Sequence, residues 1–508
     1  MKRAFPQATK ADVALLLEGT YPFVSGGVSS WVHHIIRSFP ETHFAAVFIG
    51  SRREDYHEIK YELPENLVHL ETHFIFDKKH HHSKKKMAGN PKGFEKIKEL
   101  HEWFRAPGES ALSQEIKSLP FYLDPVKGVH HGQFLHSLLS WEFISARFEQ
   151  YCTDPSFVDY FWTVRNMHTP IWQLAEIAQH LIPAKVYHTI STGYAGFLGA
   201  LLRHNTGRPL ILSEHGIYTK ERRIDLLQSH WIKDNRNAFQ RDPTVISYYR
   251  ELWIRFFEAI GRFCYDAAGT ICSLFEEARQ RQITDGASPE KTRVIPNGIA
   301  LSRLKPLRGK RSVPPPPILC LLGRVVPIKD IKCFIRAMRT IVNILPEAEG
   351  WVVGPTDEQP EYYQDCRNLA ENLGLADKVK FLGFQKITDI LPNAGVLVLS
   401  SISEGLPLVI LEGYATGLPV VSTDVGSCKQ LVFGLGEEDE GIGSAGEIVG
   451  IGNPQALANA CINLLGNADA WQTASNAAVT RVERYYTEEI MINQYREIYE
   501  GALAQWRE

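Results

Sequence analysis

Cysteine motifs, long apolar runs and a basic excess are all missing from this chain of 508 residues. Its eight cysteines, at positions 152, 264, 272, 320, 333, 366, 428 and 461, form no CxxC and no pairing rhythm. That excludes a disulfide framework or zinc site and fits buried thiols in a reducing compartment, so the expected location is cytoplasmic. No uninterrupted apolar stretch approaches the ~20 residues needed to span a bilayer, so no transmembrane segment is expected. The start MKRAFPQATKADVALLLEG is basic, yet its apolar core is short and no small-residue cleavage site follows. That core reads as a first strand, not a signal peptide. A formal net charge of −3 argues against a nucleic-acid partner. No Asp-x-Asp pair occurs either. Such a pair commonly holds a divalent ion against a diphosphate, so no metal or cofactor is expected, and cationic side chains and helix N-termini must supply positive charge.

What remains is an ordinary globular composition, 44% apolar and 22% charged, long enough for two or three domains. Short β-rich apolar runs alternate with helix-period segments, the pattern of βαβ units and parallel sheets. VALLLEG, FAAVFIG, KVYHTI, LILSEHG and GTICSL read as strands of a first half; ILCLLGRV, GWVVGP, VKFLGF, VLVLSS and PVVSTDVG read as strands of a second. The break lies near VIPNGIALSRLKPLRGKRSVPPPP, where an Asn-Gly turn precedes a basic stretch and four prolines. The expected fold class is α/β, with two doubly wound domains at 1–305 and 306–485 and a ligand cleft between them. A last helix, 486–508, is expected to cross back to the first domain. Residues 77–165 break the βα rhythm and read as a helical, aromatic-rich insertion with Trp103, Phe104, Trp141, Phe143, Phe161 and Trp162. It opens with a Lys/His run, Lys78 to Lys86, which is read as a mobile solvated loop in preference to a membrane or polyanion contact.

Chemistry concentrates at strand-to-helix junctions. Glu404 and Glu412, in SISEGLPLVILEGYATGLPVV, flank the junction between the strand Val396 to Leu399 and a helix opening near Pro407. Parallel α/β sheets place ligands there, and two acceptor-only carboxylates suit a sugar ring and a ribose. GRVVPIKD puts Arg324 and Lys329 on another strand-to-helix loop, where backbone N–H groups and the helix dipole favour an anion. Ser25-Gly26-Gly27 allow close backbone approach before a helix starting at about Val28. His215, in LILSEHGIYTKERRIDL, ends a strand and points at the cleft, with Tyr218, Lys220, Arg222 and Arg223 as a polar, cationic lip; His188 has the same placement with less support. Gly441-Ile-Gly443-Ser-Ala-Gly446 matches G-x-G-x-x-G but lacks a strand before it and a helix after it, so it is a loop and not a dinucleotide site.

These elements in this order resemble the retaining glycosyltransferases of family 4, which have the GT-B architecture of two facing Rossmann-like domains. Glu404 and Glu412, the GRVVPIKD loop and VIPNGI carry the match. More closely, DVALLLEGTYPFVSGGVSSWVHHII and SEHGIYTKERRIDL resemble the PelF-like glycosyltransferases, which build the Pel exopolysaccharide in bacteria. The resemblance implies a UDP-hexose or UDP-N-acetylhexosamine donor, a glycan acceptor, transfer with retention, and inner-membrane Pel synthase partners. It further implies that Arg324 and Lys329 bind the leaving diphosphate, Glu404 the sugar hydroxyls and Glu412 the ribose. His215 would contact the donor sugar, and Gly26 and Gly27 would close on the ligands. Gly383, Phe384 and Gln385 would meet the uracil. Gly405 would also bind the donor, and Leu406 and Leu408 would offer N–H groups to the phosphate and sugar, with Pro407 departing from that pattern for want of an N–H. A front-face displacement is expected, with a nucleophilic Glu404 as the mechanistic alternative. A UDP-sugar 2-epimerase, a silent sugar-nucleotide-binding scaffold and a dinucleotide-dependent oxidoreductase are the rival functions.

Overall fold

The computed structural model describes residues 5–77, 87–105, 114–119, 128–237, 239, 242 and 244–506. The Lys/His run Lys78 to Lys86 lies outside them. The chain forms two compact units: Met1–Ser273 with Arg279–Arg293 and Arg496–Glu508, and Leu274–Ala278 with Val294–Tyr495.

Among the described residues the first unit is built on seven strands: β1 (Ala11–Glu18), β2 (Phe44–Gly50), β3 (Leu67–Phe74), β4 (Ala184–Thr189), β5 (Leu210–Glu214), β6 (Thr270–Ser273) and β7 (Thr292–Val294). They lie in the order β3-β2-β1-β4-β5-β6-β7, and the paired registers are parallel. The second unit has six strands: β8 (Ile318–Leu322), β9 (Glu349–Val353), β10 (Val379–Gly383), β11 (Val396–Leu399), β12 (Val420–Thr423) and β13 (Gly446–Val449). Their order is β10-β9-β8-β11-β12-β13, again parallel. Both units are Rossmann-like, as the alternation of runs implied.

Central strands are mostly apolar on both faces because helices cover both faces of a parallel sheet. In the second unit Leu319, Leu321, Val396 and Val398 enter one buried cluster, while Cys320, Leu322, Leu397 and Leu399 enter another on the opposite face. That is the period-two alternation of strand side chains with apolar residues on both faces. The ten runs read from the sequence are strands. The three that were not read, β3, β7 and β13, are edges of their sheets. Edge strands are half solvated, so LVHLETHF, TRV and GEIV carry no continuous apolar run.

The helical stretch after β3 runs further than residue 165: the helix Phe157–His180 crosses that boundary with Pro170 inside it, capped by Ser156 accepting from the Asp159 amide at 3.3 Å. The last helix, Glu488–Gln505, begins in the second unit, and from Arg496 onward its residues belong to the first. The G-x-G-x-x-G segment is a loop entering β13. It is pinned by the fully buried Arg481, which pairs with Asp439 at 2.7 Å and donates to the Gly443 carbonyl at 2.9 Å. All eight cysteines are described and free.

Candidate active site

In the second unit strand order reverses between β8 and β11, so the loops leaving these strands turn to opposite sides and open a crevice, the usual ligand position in such sheets. The loop after β8 carries Arg324 and Lys329; the loop after β11 carries Glu404, Gly405 and Leu406. The structure joins the two loops directly. Lys329 Nζ lies 2.5 Å from Glu404 Oε1, and Ser401 Oγ donates to the same oxygen at 2.5 Å. Ser400 Oγ donates to the Lys329 carbonyl at 2.8 Å, and the Ile402 amide to the Ile328 carbonyl at 2.8 Å. The Lys329 and Glu404 side chains are only 17% and 13% exposed.

Two residues that the sequence reading missed hold this loop. Gly426 follows β12 at φ +53, and a Cβ there would stand 2.3 Å from the Glu404 carbonyl oxygen and 2.4 Å from that of Gly405. Ser427 donates to the Gly405 carbonyl from its amide at 3.0 Å and from its hydroxyl at 3.1 Å. A Gly-Ser pair just past a strand end was the available signal.

Arg324 reaches Glu358 at 2.7 and 2.8 Å, 56% exposed, on the same loop as Lys329. Leu406 is buried, and Leu408 opens the helix Leu408–Ala415, where Pro407 is the N-cap and no side chain caps the first turn. The Ile410 amide turns back to the Pro407 carbonyl at 3.0 Å, which leaves the Leu408 and Val409 N–H groups for an anion or sugar oxygen. Glu412 lies on this helix; burial pushes its carboxyl up to about 7, against the pull of Arg303. Gly383 ends β10, Phe384 is 78% exposed, and Gln385 folds back on the Leu382 carbonyl at 2.9 Å. These three stand at the end of an edge strand, two strands away from β8.

The first unit repeats the arrangement, its strand order reversing between β1 and β4. A cavity of about 540 Å³ opens there, lined among others by Glu18, Thr20, Val28, Ser191, His215 and Arg222. Gly26 and Gly27 start the helix Gly27–Ser38 beside it. Neither would bring a Cβ within 4 Å of another atom, and Gly26 is extended at φ 168, so packing does not demand glycine at either position. His215 follows β5 with Trp31 edge-on at 4.5 Å. Burial lowers its imidazole to about 4, so the ring is neutral at pH 7. Its Nε2, like Thr20 Oγ1 and Ser191 Oγ, is buried without a hydrogen-bond partner. Three orphaned polar atoms around one cavity are an arrangement that a polyhydroxylated ligand satisfies.

Glu18, at the end of β1, also lines this cavity and was read only as part of a strand. Burial raises its carboxyl, which accepts from the Ala195 amide at 3.2 Å and the Tyr218 hydroxyl at 3.4 Å, while Arg222 donates to that hydroxyl at 2.9 Å. A carboxylate ending an apolar strand was the signal. Of the cationic lip, Arg223 instead pairs with Glu258 at 3.2 Å, and Lys220 is exposed. His188 corrects its expected placement: it is buried inside the first unit, with Nδ1 2.7 Å from the Tyr499 hydroxyl and Nε2 2.9 Å from Ser213 Oγ. Its role is structural.

Among the described residues no group of three or more His, Cys, Asp or Glu is placed to hold a metal ion, and no helix is long and apolar enough to cross a membrane.

This architecture matches solved structures over nearly its whole length. A sucrose-phosphate synthase from Thermosynechococcus elongatus superposes with a TM-score of 0.57 at 16% identity, covering 97% of this chain and 100% of that one. Anabaena HepE, crystallised with UDP, gives 0.55 at 15% identity over 96% and 100%. The fold is GT-B. A D-inositol 3-phosphate glycosyltransferase of Streptomyces scabiei is 30% identical over 171 residues, 31% of this chain and 38% of that protein. The chain therefore spans under half the length of that curated relative. Residues 316–467, which hold Arg324, Lys329, Glu404 and Glu412, match the family described as glycosyl transferases group 1. Residues 11–290 match the domain of unknown function DUF3492, and the chain belongs to that family, joined to a group 1 glycosyl transferase domain.

Proposed function

We propose that the chain is a retaining glycosyltransferase that moves a hexose or N-acetylhexosamine from a UDP-sugar to a growing glycan, without a metal ion. The observation that carries this reading is the Lys329–Glu404 pair, held by two loops at the strand-order reversal of the group 1 domain. A cation and a hydroxyl-accepting carboxylate in contact match a ligand whose phosphate and sugar adjoin. HepE, a neighbour in fold, was crystallised with UDP, which supports uridine as the base.

In this reading Lys329 and Arg324 bind the diphosphate, with the uncapped start of the helix Leu408–Ala415 beside them. Both hydrogen bonds to Glu404 fall on Oε1, so Oε2 is left to accept a sugar hydroxyl. Glu412 takes the ribose, and the strand end Gly383–Gln385 takes the uracil. Gly405, Leu406 and Leu408 border the phosphate and sugar. In the first unit His215, Gly26 and Gly27 serve sugar hydroxyls, with His215 acting as a neutral hydrogen-bonding group.

The chemistry is a front-face displacement. The bond from the anomeric carbon to the β-phosphate oxygen breaks, that oxygen accepts the acceptor hydroxyl's proton, and the acceptor oxygen bonds to the same face. Charge grows on the leaving diphosphate, where preorganised cations act most strongly. Lys329 and Arg324 thus stand where a metal ion would otherwise be required. The sequence segments around Gly26 and His215 support Pel-type exopolysaccharide synthesis in the cytoplasm, with inner-membrane Pel synthase proteins as partners.

Soaking crystals with UDP tests the reading: the diphosphate should lie against Lys329 and Arg324. Nucleotide bound elsewhere, or strict dependence on added magnesium or manganese, sinks it. An acceptor-free NMR assay that shows UDP-sugar epimerisation would move the chain to the 2-epimerases, and calorimetric UDP binding without any transfer would make it a scaffold.

A further inference from the structure

The helical stretch of the first unit encloses a second cavity that the transfer reaction does not use. Of about 300 Å³, it lies among the helices Pro91–Arg105, Leu138–Tyr151, Phe157–His180 and Tyr248–Ala267. Phe104, Val164, Met167 and Phe256 give it apolar walls, with tyrosines at 151, 160 and 248. Into this apolar space the fold brings Arg105, Arg147 and Arg255.

Arg147 is the decisive group. It is 8% exposed, and its Nη1 lies 2.7 Å from Glu102 Oε1, yet its Nη2 is buried with no hydrogen-bond partner. Burying a guanidinium N–H unmatched is unfavourable, and a ligand oxygen would relieve it. The Arg105 guanidinium lies 4.0 Å from the Tyr151 ring centre, which pre-forms a flat cationic and aromatic wall. The carboxylates do not cancel the cations: Glu102 serves Arg147 and, at 3.7 Å, Arg105, while Glu251 pairs with Arg255. His101 and His168, in contact with each other at 2.5 Å, are kept neutral by burial and add no charge. Among the described residues, three arginines against two carboxylates leave the pocket positive.

We propose that this pocket binds a small aromatic anion, one ring system bearing a single phosphate, sulfonate or carboxylate, with the anion on Arg147 Nη2 and Arg105 and the ring against Tyr151 and Phe104. None of the lining residues is among those assigned to the donor. A ligand here is therefore an effector or second substrate, not the UDP-sugar.

Isothermal titration of the full chain with 1-naphthyl phosphate, at saturating UDP, tests this. The expected result is one site per chain, with affinity at least tenfold above that for 1-naphthol or inorganic phosphate alone. Arg147→Gln should weaken binding at least tenfold. Arg105→Gln, at a position 47% exposed, should also weaken it several-fold. Absence of binding, displacement by UDP, equal affinity for inorganic phosphate, or unchanged affinity in the Arg105 variant would overturn the proposal.

Discussion

Lys329 Nζ sits 2.5 Å from Glu404 Oε1, so the cation suited to phosphate and the carboxylate suited to hydroxyls are already in contact. Each restrains the other where a ligand would need both, and this pre-orders the crevice. The pair is largely buried, so removing one member strands the other.

Lys329→Ala and Arg324→Ala should each lower turnover by roughly two to three orders of magnitude, the scale of losing one preorganised charge. Glu404→Gln should also be severe, and the Lys329/Glu404 double variant should lose far less than the product of the single losses, because the residues act as a unit. Steady-state kinetics on the three single variants and the double variant decide this; near-wild-type turnover in Lys329→Ala and Arg324→Ala removes the assignment.

Arg324 is held by Glu358 at 2.7 and 2.8 Å, a carboxylate competing for a guanidinium that phosphate needs. Glu358→Gln should therefore tighten UDP binding by up to about fivefold, the worth of a half-exposed ion pair. Calorimetry reads the change directly, and weaker binding would contradict the competition.

Burial pushes the Glu412 carboxyl up to about 7 in the fold from an ordinary 4.5. Below 4.5 it is protonated in both folded and unfolded states and costs nothing. As pH rises from 4.5 through 7 the unfolded chain ionises first and stability is lost, by about 3 kcal/mol in all. Glu412→Gln should accordingly raise the Tm at pH 8 and leave it nearly unchanged at pH 4.5. Loss of ribose contacts should weaken UDP binding in the same variant.

His168, His188 and His215 are lowered by burial from 6.5, the first and last to about 4 and His188 to about 3. Their stabilising contribution is present above pH 6.5 and is lost as pH falls toward 4, since only the unfolded chain takes up the protons. Thermal melts should show the Tm dropping steeply between pH 6.5 and 4. The activity profile should show no inflection near 6.5 that His215→Gln removes.

Gly426→Ala should be costly although the residue touches no ligand. At φ +53 a side chain is strained, and its Cβ would meet two carbonyl oxygens of the Glu404 loop. The expected result is a lower Tm together with lost turnover. A variant with native turnover would show that this loop is not held from Gly426.

Much of this was legible in the chain because local pattern encodes burial. VLVLSS and ILCLLGRV had to be central strands, since a run apolar at every position needs cover on both faces. The strand-to-helix breaks at Gly323 and Ser400 placed Arg324, Lys329 and Glu404 at carboxyl ends of strands. The edges β3, β7 and β13 were not legible, being half solvated and patterned like loops.

The chain by itself determined two parallel α/β units and which junctions carry charge, because periodicity and turn residues act within a few positions of one another. Only the tertiary structure decided that Lys329 meets Glu404 across 75 residues, that Arg324 turns to Glu358, and that His188 is interior while His215 faces a cavity. Those outcomes depend on strand order, which brings distant loops together at a reversal point, and on the burial that strand order imposes. No local window of sequence contains either.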